Sequence, residues 1–144
     1  MISVSHLGVW VLDQDEALDF YVHKLGFHVH TDARMDDYRW LTVTPPEQPE
    51  LQIMLGVPRP PAVDADAAEQ IRDLVARGQL GAGILRTKDC RADYEELRAR
   101  GVEFIQEPQE TFYGIDAAFR DNSGNHWRLV QPPENPPRQF PQPG

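Results

Sequence analysis

The same order of predicted elements, strand, helix, strand, strand, strand, occurs twice along this chain of 144 residues. In the first half, Asp13 precedes a helical stretch that Gly26 ends, and in the second half Asp89 and Gly101 bound the matching stretch at nearly the same spacing. Aspartate accepts hydrogen bonds from the free backbone N–H groups at a helix start, and glycine adopts the left-handed conformation in which many helices end. The two pairs of helix boundaries therefore predict two copies of one β-α-β-β-β unit.

Residues 2–12 open the first copy with the alternation that is typical of a strand. One face is aliphatic and is expected to pack on the helix that follows, whereas the other face is chemically mixed. The helix lies between Asp13 and Gly26, and three more strands are predicted over residues 27–34, 38–44 and 51–57. The two faces of the first strand consist of Leu7, Val9 and Val11 and, opposite them, His6, Gly8 and Trp10.

A proline-rich break and a helix over residues 64–77 are predicted to link the two copies. The second copy begins at Gly81, continues through a helix that ends at Gly101, and finishes with three strands between residues 102 and 131. We therefore predict one domain over residues 1–132 with a proline-rich tail over 133–144. Its predicted parts are module one (1–57), a linker helix (58–80) and module two (81–132).

Composition narrows the class of partner. The formal net charge of −9 argues against nucleic-acid and membrane-surface binding, because both need clustered lysine and arginine. No stretch has the pattern of a signal peptide or a membrane span, so we expect a cytoplasmic protein that binds a small molecule or another protein. The single cysteine, Cys90, excludes an intramolecular disulfide and a thiolate zinc cluster, and its place at a helix start is expected to lower the pKa of its thiol.

Five short strings carry a family resemblance. They are residues 6–13 (HLGVWVLD), 20–21 (FY), 25–27 (LGF), 119–125 (FRDNSGN) and 129–132 (LVQP). In this order and on a duplicated unit, they resemble the vicinal oxygen chelate superfamily, which includes glyoxalase I, extradiol dioxygenases, fosfomycin-modifying enzymes and bleomycin-binding resistance proteins. The resemblance implies an α+β fold of two paired βαβββ modules, forming a curled mixed sheet around a cavity with an extra linker helix. It also implies a homodimer.

The resemblance further implies four metal-ligand positions, on the first and last strands of each module. They fall on His6, Gln52, Gly83 and Arg128, of which only His6 is a good ligand. A divalent catalytic metal generally needs about three protein ligands, and arginine does not deprotonate to become one. At about 4 Å from a divalent ion, the charge of Arg128 would cost roughly 8 kcal/mol at an effective dielectric of about 20. We therefore expect no metal and no other cofactor, while a divalent ion on His6 with atypical partners stays an alternative.

The mixed strand faces instead predict a ligand pocket with apolar walls and a few polar anchors. Arginine pairs with carboxylates, phenolates and enolates and stacks on planar rings, so the expected ligand is flat and anionic or polarised. The alternative role for Arg128 is a structural salt bridge, with Glu50, Glu103 or Asp116 as partner. The large aromatic residues could equally be core residues. The candidate ligand-binding residues are His6, Trp10, Trp40, Gln52, Met54, Tyr113, His126 and Arg128.

The expected function is that of a metal-free small-molecule binding protein, of the kind that sequesters an antibiotic or another natural product. The alternative is a glyoxalase-like lyase, isomerase or dioxygenase. Such an enzyme would use an atypical metal site at His6, or would be metal-free with His6 as general base and Arg128 stabilising an oxyanion. A third possibility is a pure interaction domain.

Overall fold

The computed structural model describes residues 1–135 and contains two four-stranded sheets, each with its own helix. Both modules have the predicted element order, which confirms the α+β fold class of two paired βαβββ modules. Residues 136–144, most of the predicted tail, lie outside the described residues. The elements are β1 (His6–Trp10), α1 (Gln14–Leu18), β2 (His28–Met35), β3 (Tyr38–Thr44), β4 (Gln52–Gly56), α2 (Ala65–Ala76), β5 (Gly81–Arg86), α3 (Cys90–Ala99), β6 (Glu103–Thr111), β7 (Gly114–Arg120) and β8 (His126–Gln131).

The sheets have the strand orders β1-β4-β3-β2 and β5-β8-β7-β6. In each sheet the first and last strands of the module pair in parallel, which places His6 opposite Gln52 and Ile84 opposite Arg128. The two sheets do not close into one curled sheet around a shared cavity. The cavity described below therefore lies on the first sheet alone.

The first helix starts as predicted but is less regular than expected. The carboxylate of Asp13 accepts a hydrogen bond from the backbone N–H of Glu16 at 2.8 Å, and Gly26 leaves the helix with φ +80°. After Leu18, however, the helix continues as a π-helical segment, Asp19–Lys24. This wider winding lets the consecutive residues Phe20 and Tyr21 both enter the core. None of the helices within residues 1–135 is both long and apolar enough to cross a bilayer.

One hydrophobic core joins the two modules. Phe20 packs on Phe119 of β7, with ring centroids 6.3 Å apart, and Tyr21 packs edge-on against Trp127 of β8, also at 6.3 Å. All four rings are buried. Since aromatic residues bury the largest apolar areas, these contacts across the modules favour a single folding unit.

The aliphatic face of β1 joins this core only in part. Val9 and Val11 are buried as expected, but 55% of Leu7 is exposed. The reason is that β1 is an edge strand, and Leu7 lies near its free end.

A buried carboxylate also ties the modules together. It belongs to Asp121, in the turn between β7 and β8, whose Oδ1 accepts the backbone N–H groups of Ser123, Gly124 and Asn125, each at 2.9 Å. Its Oδ2 accepts the hydroxyl of Tyr21 at 2.6 Å. Burial, followed by the negative charge of Asp121, raises the pKa of Tyr21 well above its ordinary value, so the hydroxyl remains a donor.

The same turn reaches the end of β1. The Nδ2 of Asn125 donates to the carbonyl of Trp10 at 2.7 Å, and the N–H of Leu12 donates to the Oγ of Ser123 at 2.8 Å. Gly124 is required between them, because it has φ +122° and a Cβ there would lie 2.2 Å from the carbonyl oxygen of Val75. What reads in the sequence as an ordinary polar turn is therefore a connection between modules, which we call the Asp121 clasp (residues 121–125 with Tyr21, Trp10 and Leu12).

We predict that Tyr21→Phe lowers the free energy of unfolding by about 1–3 kcal/mol, because it leaves the indole N–H of Trp127 without its acceptor and removes a donor from the buried Asp121. The matched control is Tyr113→Phe, which also removes a tyrosine hydroxyl from a carboxylate but at an exposed ring. Its expected cost is under about 1 kcal/mol, since Asp116 keeps its hydrogen bonds from Arg128 and Gln106. Urea unfolding measures both values, and equal losses would contradict the role of the clasp.

Candidate ligand-binding site

A cavity of about 480 Å³ opens on the first sheet where β3 and β4 separate. These strands pair only at Thr42 with Met54 and at Val43 with Ile53. Past the Thr42–Met54 pair the two strands form no further ladder pairs, and residues of both strands there line the cavity. Its volume falls within the range of small-molecule sites.

The walls of the cavity are largely apolar and include three aromatic side chains. Trp10, Trp40 and Met54 line it, together with Tyr38 from the start of β3. The alternation of the strands explains this arrangement, because the adjacent residues Val9, Leu41 and Leu55 are buried in the core. Three residues predicted from the sequence thus line one cavity.

The mouth of the cavity includes residues that the sequence analysis did not single out. The loop after β4 carries Arg59, whose Nη1 donates to the backbone carbonyl of Asp37 at 3.0 Å and whose Nη2 lies 2.7 Å from the carboxylate of Asp37. The hydrogen bond from Arg59 lowers the pKa of Asp37. No sequence pattern predicts this ion pair, because it joins the β2–β3 turn to a loop that is distant in the chain. Pro60 and Pro61 complete this part of the lining.

Gln14 is another residue of the lining that the sequence analysis did not identify. It follows the N-cap of α1, a position that normally faces solvent, yet it lines the cavity. Its Nε2 donates to the backbone carbonyls of Leu55 at 2.8 Å and of Arg39 at 3.2 Å. These carbonyls lie just past the last β3–β4 pairs, so the Gln14 side chain replaces the backbone hydrogen bonds that a continuous sheet would form there.

His6 and Gln52 lie on the same face of the first sheet but outside the cavity lining. The Nδ1 of His6 is 2.8 Å from the Oγ of Ser5, and its ring centroid is 6.0 Å from that of Trp40. The Oε1 of Gln52 accepts the hydroxyl of Thr42 at 2.9 Å. The two predicted residues are thus neighbours of the cavity, next to the Trp40 wall.

Arg128 lies on the second sheet and makes the salt bridge that the sequence analysis left open, with Asp116 as its partner. The Nε of Arg128 is 3.0 Å from Oδ1 of Asp116, and its Nη2 contacts Oδ2. Tyr113 donates its hydroxyl to the same Oδ2 at 2.9 Å, and Nη2 is 3.4 Å from the Oε1 of Gln106. We call these four residues the Arg128 cluster.

The electrostatics of the Arg128 cluster follow from unequal burial. The side chain of Asp116 is 2% exposed, whereas that of Arg128 is 42% exposed. Burial acts to raise the pKa of Asp116, but the hydrogen bonds from Arg128 and Tyr113 and the charge of Arg128 outweigh it, so the pKa is lowered. The Nη1 of Arg128 donates to none of the residues 1–135. The cluster is therefore close to neutral and still offers N–H donors to solvent or a ligand.

His126 does not join the aromatic cavity. It lies on β8 opposite Gly81, and a Cβ on that glycine would be 3.6 Å from the imidazole ring. Two of the predicted residues, Tyr113 and Arg128, contact the same carboxylate, while His126 lies two residues before Arg128 at the start of β8.

The family model of the Glyoxalase/Bleomycin resistance protein/Dioxygenase superfamily matches residues 3–129. The chain belongs to this superfamily. The resemblance to vicinal oxygen chelate proteins is thereby confirmed.

Solved structures and curated relatives agree with this assignment. The crystal structure of UcmS2 superimposes with a TM-score of 0.85 at 44% sequence identity, covering 90% of this chain and 98% of that one. TnmS3, an antibiotic binding protein from Streptomyces sp. CB03234, gives a TM-score of 0.73 at 32% identity, covering 92% of this chain and 98% of that one. An uncharacterized protein of Shewanella frigidimarina (strain NCIMB 400) is 36% identical over 134 residues, which are 90% of this chain and 93% of the relative.

The residues at the superfamily's metal positions do not fit a metal. His6 and Gln52 are neighbours on the first sheet, but Arg128 is on the second sheet and already bonded to Asp116. The residue opposite Arg128 on β5 is Ile84 and not Gly83, because a register shift turns Gly83 towards Trp127. Within residues 1–135, no three His, Cys, Asp or Glu side chains lie close enough together to hold an ion.

The expectation for Cys90 is wrong in direction. Burial, together with the negative charges of Asp116 and Asp93, raises the pKa of its thiol. The side chain is fully buried, and its Sγ lies 3.5 Å from the carbonyl of Leu129. Desolvation thus outweighs the effect of the helix start.

We predict that Arg128→Met destabilises the protein by about 1–3 kcal/mol at neutral pH, because it leaves the carboxylate of Asp116 buried without its charged partner. In the parent protein, the pKa of Asp116 is lowered, so its pairing contributes stability above the unfolded pKa of about 3.9 and loses it as pH falls. In the variant, burial raises that pKa. The difference in stability between parent and variant should therefore shrink as pH falls from neutral.

Urea unfolding across a pH series measures this difference. The control is Arg86→Met, at an exposed arginine of β5, which should change stability by less than about 0.5 kcal/mol at every pH. A loss from Arg128→Met that does not vary with pH would contradict the assigned ion pair.

Proposed function

We propose that this protein is a metal-free small-molecule binding protein that sequesters a flat, polarised organic ligand, such as an antibiotic or another natural product. The observation that carries the proposal is the 480 Å³ cavity walled by Trp10, Trp40 and Met54, on a sheet whose metal-ligand positions are unsuited to a metal. Sequestration needs affinity and no chemistry. Aromatic walls supply affinity without assembling a catalytic group.

Magnitudes favour stacking as the main source of affinity. A planar ligand that buries about 200 Å² of apolar surface in the cavity gains about 5 kcal/mol, before the costs of association. An exposed ion pair contributes about 0–1 kcal/mol, and Arg128 is 42% exposed and already paired with Asp116. Of the two ligand classes expected from the sequence, the polarised one is therefore favoured over the anionic one.

The relatives support the same class of function. TnmS3 is an antibiotic binding protein, and it shares 32% of its sequence with this chain over nearly its full length. The enzyme alternative receives no such support from the geometry. Arg128 is already bonded to the buried carboxylate of Asp116, which neutralises the charge that would stabilise an oxyanion.

We also infer that the protein is a homodimer in which a second copy covers the cavity. Two large apolar side chains, Leu7 and Ile84, are 55% and 69% exposed on the edge strands β1 and β5. Open edges with exposed apolar residues are suited to association. The polar face of the second sheet, which carries Tyr113 and Arg128, would then lie over the first sheet of the partner. In this arrangement the candidate residues of both sheets serve one site, in a protein that we expect to act in the cytoplasm.

We predict that Trp40→Ala weakens the binding of planar ligands by about tenfold or more, because a central aromatic contact is lost. Coumarins, flavones and naphthoquinones are suitable probes; compounds that raise the melting temperature of the parent protein are then titrated by calorimetry. His28→Ala, at an exposed residue on β2, is the control and should leave affinity unchanged. A panel in which no planar compound raises the melting temperature would contradict the proposal.

The dimer makes its own prediction. Light scattering should give the parent protein the mass of two chains, and Ile84→Glu should give a folded monomer, because it places a charge on the inferred contact. Ile105→Glu, at a 46% exposed isoleucine on the far edge strand β6, should remain dimeric. A parent protein of single-chain mass would exclude this assembly.

A further inference from the structure

The gap between β3 and β4 exposes backbone groups that a continuous sheet would pair. Past the Thr42–Met54 pair, the carbonyls of Leu55 on β4 and Arg39 on β3 have no partner in the ladder. Both are instead bonded by one side-chain nitrogen, the Nε2 of Gln14, at 2.8 and 3.2 Å. The sheet thus opens to form the cavity without leaving these two acceptors unsatisfied.

This contact fixes the orientation of the Gln14 carboxamide. Its nitrogen has two hydrogens and meets two carbonyl oxygens, so a flipped amide would place three acceptors against one another. The Oε1 must therefore point away from the two strands. It accepts no hydrogen bond from residues 1–135, and Gln14 is half-buried in the cavity lining. A half-buried acceptor without a partner loses hydration when an apolar ligand covers it.

The charged side chains of the lining are already paired. Arg59 is bonded to Asp37, and Arg39 lies between Asp15 and Asp32 at 2.7 and 2.9 Å. The Arg59–Asp37 pair is neutral, whereas Arg39 between two carboxylates leaves one net negative charge. The cavity therefore combines apolar aromatic walls with a neutral acceptor held in a fixed position.

We propose that Gln14 determines ligand specificity: its Oε1 accepts a hydrogen bond from an N–H or O–H group on the edge of the bound planar molecule. The inference rests on the proposed function and narrows its ligand class to planar molecules that carry a donor. The cavity discriminates against analogues in which that donor is methylated, because they cover the acceptor without satisfying it. Sites built around a polar group reject ligands that leave it unpaired.

Three coumarins test this specificity: 7-hydroxycoumarin, which carries a donor, 7-methoxycoumarin, in which the donor is blocked, and coumarin itself. Dissociation constants are measured by calorimetry at a pH at which the hydroxyl stays protonated. The parent protein should bind the hydroxy compound about tenfold more tightly than the other two. In Gln14→Met, which keeps the length of the side chain, the preference should disappear, so that the three compounds bind with equal affinity.

The ratio of the affinities for 7-hydroxycoumarin and 7-methoxycoumarin separates the effect of the Gln14 acceptor from the structural role of this residue. Loosening of the β3–β4 gap affects all three compounds and cancels in the ratio, whereas loss of the acceptor does not. Gln79→Met is the control, because Gln79 is an exposed glutamine bonded to a backbone carbonyl away from the cavity. It should keep the tenfold preference.

The outcomes distinguish the role of Gln14 in specificity from the proposed binding of planar ligands. Equal affinity of the parent protein for the three coumarins, or a preference that survives Gln14→Met, overturns the role of Gln14 and leaves the proposed function standing. Failure of all three coumarins to bind overturns the role of Gln14, and contradicts the proposed function only if the flavones and naphthoquinones also fail to bind. If Gln14→Met does not fold, the carboxamide carbon resonance of Gln14 decides: it should shift with 7-hydroxycoumarin and not with 7-methoxycoumarin, and equal shifts overturn the inference.

Discussion

The fold depends on the buried carboxylate of Asp121. Moving a carboxylate out of water without compensation costs several kcal/mol, so a buried one persists only where donors surround it. Asp121 receives three backbone N–H groups and the Asn125 amide from its own turn, and the Tyr21 hydroxyl from the other module. Full compensation therefore requires that the modules be docked. Because Asn125 also bonds the carbonyl of Trp10, the interaction that joins the modules fixes one wall of the cavity.

The two sheets present different chemistry on their open faces. The first sheet separates between β3 and β4 and leaves an aromatic cavity, with Gln14 in place of the missing backbone pairs. The second sheet carries a cluster in which Asp116 neutralises Arg128. In the proposed dimer, the partner's donor cluster would cover the aromatic cavity, an arrangement suited to planar, polarised and uncharged molecules. Neither face offers the set of anionic and imidazole ligands that a divalent ion needs.

Much of the fold could be predicted because it rests on local signals. Asp13 and Gly26 bound the first helix as expected, and strand alternation placed Trp10, Trp40 and Met54 on one face. The misses come from contacts between residues far apart in the chain. The π-helical winding after Leu18, the Arg59–Asp37 pair and the inward turn of Gln14 have no periodic pattern, because each depends on a partner in another segment.

The contacts of the candidate site likewise depend on residues far apart in the chain. The sequence marked Arg128 as incompatible with a metal and named Asp116 among three possible partners, but only the pairing of β7 with β8 decides between them. The register shift in β5 likewise moves Ile84 into the place expected for Gly83. Strand register is set by the whole sheet, so a shift of one residue cannot be predicted from the alternation of apolar and polar residues in one strand.

The most direct test follows the indole N–H resonances of the three tryptophans by NMR during separate titrations with a planar coumarin and with zinc. Trp10 and Trp40 line the cavity, whereas Trp127 is buried in the core with its indole N–H bonded to Tyr21. A metal-free planar-ligand site predicts that the coumarin shifts the Trp10 and Trp40 resonances and leaves that of Trp127 in place, while stoichiometric zinc shifts none of them. Saturable zinc-dependent shifts of Trp40, which lies beside His6, in a protein that does not respond to the coumarin would contradict the account.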